Sequence, residues 1–208
     1  MKIEIVDNFL KSRDFKRISN LTIKKINKTN LKVYHNSVVG KKVINSECIK
    51  PDYLSKLNKN YHNKAIKILK KLCKEKVKLY DYSEFHIIVT GANRKFPIHD
   101  DTPNKLLSGV IYLKPNKNFG TNFFSTKSGK SKKTIPWKLN RAVFFSRKER
   151  ETWHSYQGDG KSNRIVLVYN LMTKNIKEVY KVEKKNYFLG NLRYKINPYF
   201  YRFFNITI

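Results

Sequence analysis

The sequence predicts a mainly β fold with flanking helices and a core of the jelly-roll kind. Three observations predict it. From residue 77 onward, short β-rich runs alternate with turn residues at the spacing of a sandwich or barrel. One long amphipathic helix pattern precedes them, placed to cover a face of a sheet. The chain has 208 residues, 40% of them hydrophobic and 13% aromatic, enough for one domain with a real core rather than a disordered chain.

Residues 2–6 alternate Lys-Ile-Glu-Ile-Val and read as a short strand, ended by Asp7-Asn8. A helix is expected over 11–27 and a strand over 32–39, closed by Gly40. The clearest helix spans 51–75. Pro51 suits its first turn. Leu54, Leu57, Tyr61, Ala65, Ile68, Leu69 and Leu72 recur at three- and four-residue steps, with lysines opposite. The β runs that follow are 77–82, 84–90, 109–113, 121–125, 141–145, 153–156 and 164–171. Gly91, Pro103, Pro115, Gly120, Gly129, Pro136 and Gly158-Asp159-Gly160 separate them. The chain thus divides into supporting elements (1–76), a β core (77–172) and a basic, aromatic extension (173–208), all within one domain. Interleaved rings and charges in that extension can stack bases, but rings packed onto the domain are the favoured reading.

The formal net charge of +30 admits an anionic partner. Lysine and asparagine are spread through every segment rather than gathered on one face, which favours codon bias over a nucleic-acid footprint. Nucleic acid is therefore admitted as a partner but not favoured. No apolar run approaches the ~18–20 residues of a membrane helix. The N-terminus reaches an acid, Glu4, too early for a signal peptide. Cys48 and Cys73 lack a metal-ligand spacing and read as reduced thiols of a cytoplasmic protein.

The chemistry concentrates at His99 and Asp101 in Phe96-Pro97-Ile98-His99-Asp100-Asp101, at His154 in Thr152-Trp153-His154, and at Arg164 ten positions later. Residues two apart on a strand share a face, so His99 and Asp101 can aim at one ion. A third ligand, His154, completes the two-imidazole, one-carboxylate set that holds iron(II) on one side and leaves the other open. A guanidinium nearby can grip the carboxylate of a co-substrate. Asp100, between the ligands, should point away as a solvated acid or a turn contact. If Gly158-Asp159-Gly160 closes a three-residue hairpin with Gly160 left-handed, His154 and Arg164 become cross-strand neighbours. His35, His62 and His86 have plainer readings, His62 as solvated and His86 as a packing histidine.

The order of these motifs resembles the iron(II)/2-oxoglutarate-dependent oxygenase superfamily in its prolyl-hydroxylase-like branch. The likeness covers residues 77–171 and includes Ser108-Gly109-Val110-Ile111-Tyr112-Leu113, Gly120-Thr121-Asn122-Phe123-Phe124, Asn140-Arg141-Ala142-Val143-Phe144-Phe145 and Asn163-Arg164. It implies a double-stranded β-helix, in which the strands of His154 and Arg164 lie in facing sheets. It implies that His99, Asp101 and His154 ligate Fe(II), and that Arg164 and the Tyr112 hydroxyl hold the distal carboxylate of 2-oxoglutarate. O2 would be the oxidant, and ascorbate stays open as an addition. The implied activity is hydroxylation of a C–H bond in an unidentified substrate, a protein side chain or a small molecule or glycan, with release of succinate and CO2. The strand Phe85-His86-Ile87-Ile88-Val89 lacks a tyrosine that many prolyl hydroxylases carry, so prolyl specificity does not carry over. Two other readings stand beside this one: a nucleic-acid-acting oxygenase of the same superfamily, and a non-catalytic metal-binding jelly-roll protein.

Overall fold

The computed structural model describes residues 1–204, 206 and 207. Two antiparallel sheets face each other. In spatial order the large one holds β1 (Glu4–Val6), β10 (Ala142–Phe145), β7 (Lys105–Lys114), β12 (Arg164–Met172), β5 (Tyr82–Thr90), β3 (Asn36–Val39) and β4 (Lys42–Ser46), with β2 (Leu31–Tyr34) also paired to β5. The small one holds β6 (Lys95–His99), β11 (His154–Gln157), β8 (Thr121–Phe123) and β9 (Lys133–Ile135). Helices α1 (Ser12–Ser19), α2 (Pro51–Cys73), α3 (Ile176–Glu183) and α4 (Tyr187–Phe204) lie outside them. This is the jelly-roll core the strand spacing predicts.

Alternation along the strands creates two cores. On β5, Phe85 and Ile87 point outward and are buried under α2. There they meet the apolar stripe of that helix, including Leu54, Leu57 and Leu69, each at 0% exposure. Each such side chain contributes about 1.5–3 kcal/mol relative to an exposed one. The second core lies between the sheets and contains Tyr112, Phe123, Phe145, Val166 and Val168. Gly109 on β7 lets the Phe144 ring approach closely: a Cβ there would stand 2.2 Å from Phe144 Cε1 and 2.8 Å from the Tyr169 carbonyl oxygen.

A buried charge cluster ties α3 to the loop after β10. Lys76 Nζ lies 2.7 Å from Glu183 Oε1, and Arg147 Nη1 lies 2.7 Å from Glu183 Oε2. All three residues are at most 5% exposed. Removing one member of such a cluster strands the others, at about 3–5 kcal/mol.

Several expectations are corrected. The helix expected over 11–27 stops at Ser19, where the Asn20 N–H turns back onto the Lys16 carbonyl and the Leu21 N–H onto that of Ile18. The run 77–82 is not a strand of its own: a 3-10 turn, Lys74–Leu79, extends α2, and only Tyr82 belongs to a strand, as the first residue of β5. Strands β4, β6 and β9 were not anticipated as β runs. The extension folds into α3 and α4, and its rings divide. Tyr201 packs on Phe96 at 5.2 Å between centroids, whereas Phe188, Tyr199, Phe203 and Phe204 are 63–81% exposed. His62 is not solvated: it is half-buried against the Tyr80 ring, at 4.8 Å.

Candidate metal centre

Strands β6 and β11 pair with His154 opposite His99. That register brings the two imidazoles to 4.1 Å between ring centroids. Asp101 lies just past the end of β6 and is 7% exposed. The candidate ligand atoms of His99, Asp101 and His154 all lie within 4.8 Å of one another.

The protein fixes both rings through its own backbone. His99 Nδ1 lies 3.1 Å from the Pro97 carbonyl oxygen, and His154 Nδ1 lies 2.9 Å from that of Thr152. A carbonyl only accepts, so each ring donates from Nδ1, which leaves Nε2 as the atom available to an ion. Burial, with His154 alongside, pushes the His99 pKa down to about 3, so the ring is neutral at physiological pH. Burial opposes the charge on Asp101, but Lys105 together with the two histidines outweighs it and holds the carboxyl well below the usual carboxylate range. Lys105 Nζ stands 2.6 Å from Oδ1, and Ser108 Oγ donates to Oδ2 at 2.5 Å.

Asp100 makes the turn contact expected of it. Its carboxylate accepts from the Arg150 N–H at 2.7 Å and from Thr152 Oγ1 at 2.5 Å. Thr152 is the residue whose carbonyl orients His154, and the Arg147 guanidinium donates to the Asp101 carbonyl at 3.0 Å. The two ligand-bearing loops are thereby fastened together. Asp100→Ala is expected to weaken metal binding by about 10–100-fold without removing a ligand, as a calorimetric titration with manganese(II) would read.

A cavity of about 190 Å³ opens beside these residues, between the sheets. Its walls are largely apolar, with Val33, Ile88, Val110, Val166 and Phe145 among them. Arg164 reaches it from the start of β12 and is only 1% exposed. Its guanidinium carbon sits 4.8 Å from the Tyr156 ring centroid, 5.4 Å from that of Trp137 and 5.6 Å from that of Tyr112. One long contact, 3.5 Å from Nη2 to Thr121 Oγ1, is its hydrogen bond, and buried Nε has no partner. No acidic side chain pairs with it among the described residues. A buried cation without an anion is costly, and a carboxylate in this cavity would supply the missing charge.

Tyr112 stands apart from the cavity wall. Its ring stacks on Trp137 at 4.4 Å, and its hydroxyl donates to Thr121 Oγ1 at 2.9 Å. It therefore reaches Arg164 through Thr121. The phenol that lines the cavity is Tyr156. His154 and Tyr156 are two apart on β11, so strand alternation could have found it. Lys105 and Ser108 depend on how the chain turns back after Asp101, and no local signal marks them. His86 is a satisfied histidine: it lies 3.1 Å from Glu84 Oε2 and accepts from the Asn36 N–H at 3.3 Å.

The hairpin between His154 and Arg164 does not form. Strand β11 pairs with β6 and β8, whereas β12 pairs with β5 and β7 in the other sheet. The Gly158 and Gly160 amides bond instead to the carbonyls of Arg94 and Ala92, carrying the chain across between sheets. Gly160 does adopt the left-handed conformation, with φ +80°. The facing-sheet arrangement implied by the family resemblance is the one observed.

No protein-family model matches the chain, and no curated protein matches it at a significant level. Solved structures do. A prolyl-4-hydroxylase from Pseudomonas putida is 13% identical, with 83% of this chain and 92% of that one covered and a TM-score of 0.50. A 2OG-Fe(II) oxygenase family oxidoreductase from Burkholderia pseudomallei is 12% identical, with coverage of 82% and 84% and a TM-score of 0.55. A Trichoplax adhaerens prolyl hydroxylase in complex with a hypoxia-inducible-factor peptide fragment is 12% identical, with coverage of 85% and 86% and a TM-score of 0.54. The chain has the fold of the iron(II)/2-oxoglutarate oxygenases in its prolyl-hydroxylase-like form. A His-Asp-His group able to hold a metal ion sits inside that fold.

Proposed function

We propose that this protein is an iron(II)- and 2-oxoglutarate-dependent dioxygenase that hydroxylates a substrate C–H bond and releases succinate and CO2. One observation carries the reading. A three-residue ligand group shares its cavity with a buried guanidinium that has no anionic partner. The donor set suits iron(II): two imidazoles and one carboxylate, with the rings oriented by backbone carbonyls.

Held at this site, iron(II) would activate O2, the oxidant, and 2-oxoglutarate would give up two electrons in becoming succinate and CO2, leaving two to be drawn from the substrate C–H bond. The rest falls to the chain. His99, Asp101 and His154 hold the metal. Arg164 binds and orients the far carboxylate of the co-substrate, with Thr121 and Tyr156 beside it and Tyr112 setting the Thr121 hydroxyl. The apolar walls limit water around the reacting groups. The peptide held by the Trichoplax neighbour supports a protein side chain as the substrate class.

Calorimetry with manganese(II) and an unreactive 2-oxoglutarate analogue tests the reading. The analogue is expected to bind the metal-loaded protein much more tightly than the metal-free one. Metal binding without analogue binding would leave the non-catalytic jelly-roll reading in its place.

A further inference from the structure

Helix α4 turns its apolar side outward. At 3.6 residues per turn, Phe188, Leu189, Leu192, Tyr199, Phe203 and Phe204 fall within one arc of roughly 160°. These side chains are 58–81% exposed. The opposite side holds the helix to the body. Gly190 is buried, and a Cβ there would come within 2.2 Å of the Tyr180 ring. The Tyr201 ring packs on Phe96, and its hydroxyl accepts from Arg94 at 3.0 Å. Beyond the helix, Thr207 Oγ1 donates to the Ile98 carbonyl at 2.8 Å. The outward strip is thus presented by a helix anchored at several points along its length.

Single exposed apolar residues are ordinary, but a contiguous strip of large ones marks a surface that something covers. Charge selects the occupant. From Lys184 to the end of the sequence there are five basic residues and no acidic one, on a chain of net charge +30. A second copy would bring the same charge, and self-repulsion opposes that pairing. An anionic bilayer satisfies both features at once. Its acyl boundary takes aromatic and aliphatic side chains, and its headgroups attract exposed Lys195 and Arg202 on the helix flank. Among the described residues no helix is long and apolar enough to cross a membrane, so α4 would lie on the surface rather than span it.

We propose that α4 docks this protein on anionic phospholipid bilayers, its Phe188–Phe204 strip lying in the headgroup region. Because α4 rests on β6, docking brings the strand ending in His99 close to the lipid.

Sedimentation of the full chain with phosphatidylserine–phosphatidylcholine vesicles tests this. Binding is expected to those vesicles, weakly or not at all to pure phosphatidylcholine, and to fall as salt rises. Leu192→Glu combined with Phe203→Glu should cut partitioning at least about tenfold. Manganese(II) titration of the same variant should be unchanged, since both residues are exposed. Phe203→Trp should show a blue-shifted emission on the anionic vesicles. Three results would overturn the proposal: no sedimentation with anionic vesicles, equal binding by the double-glutamate variant, or a dimer in light scattering that this variant dissolves.

Discussion

Replacing Arg164 with methionine is expected to cut the affinity for 2-oxoglutarate by about 30- to 4,000-fold while making the ligand-free protein more stable. The two effects have one cause. The guanidinium is 1% exposed, surrounded by three aromatic rings, and holds one hydrogen bond of 3.5 Å. Burial pushes its pKa down, the sign of a cation kept out of water. Truncating one side of a buried, bonded charge pair costs about 2–5 kcal/mol, which sets the affinity loss. Without the ligand there is no pair to lose. Methionine fills the space without a charge, and replacing buried charges by apolar groups of similar volume stabilises by up to about 1–4 kcal/mol. For a chain of this size that is a rise of roughly 2–16 °C in Tm. Calorimetry and thermal unfolding read the two quantities separately. A lower Tm with unchanged co-substrate affinity would show that Arg164 is structural and does not serve the cavity.

Asp101→Ala and His99→Ala are each expected to abolish iron-dependent succinate formation. Asp101→Ala should be the worse for metal affinity. His99→Ala removes one neutral donor from a group of three. Asp101→Ala removes the sole anion of that group and leaves Lys105, now 2.6 Å from Asp101 Oδ1, facing a divalent cation with no negative charge between them. Side-by-side metal titrations of the two variants check the order, and succinate assays check the loss. Unchanged turnover in either variant would sink the assignment. Asp100→Ala is the graded comparison: it removes a carboxylate that holds Arg150 and Thr152 rather than a candidate ligand, so its loss of metal affinity should be smaller than that of Asp101→Ala.

Much of this site was legible in the sequence because its parts follow local rules. His99, Asp101, His154 and Arg164 are residue types that recognise metal and carboxylate, placed at strand edges by runs of alternating apolar residues. The long helix was readable from its three-and-four spacing, and its stripe lies where that spacing puts it. What was misread depends on contacts distant in sequence. The run 77–82 has strand-like alternation, yet residues 77–79 end the 3-10 turn that follows α2 and only Tyr82 belongs to a strand. The glycines at 158 and 160 look like a hairpin, but their amides find carbonyls in the turn after β5. The side of α4 that faces the protein was unreadable too, because the helix is aromatic almost all round and small Gly190 decides which side sits down.

The acid at the end of α3 gives the last stretch of the chain a share in the centre it never touches. Glu183 is the counterion for both Lys76 and Arg147, and Arg147 in turn holds the main chain at Asp101. The smallest part of this protein that could keep the loops of the His-Asp-His group in shape therefore extends beyond the last strand of the barrel. A barrel of this type that exchanged its C-terminal segment for another would have to receive, along with it, a replacement anion at that one position.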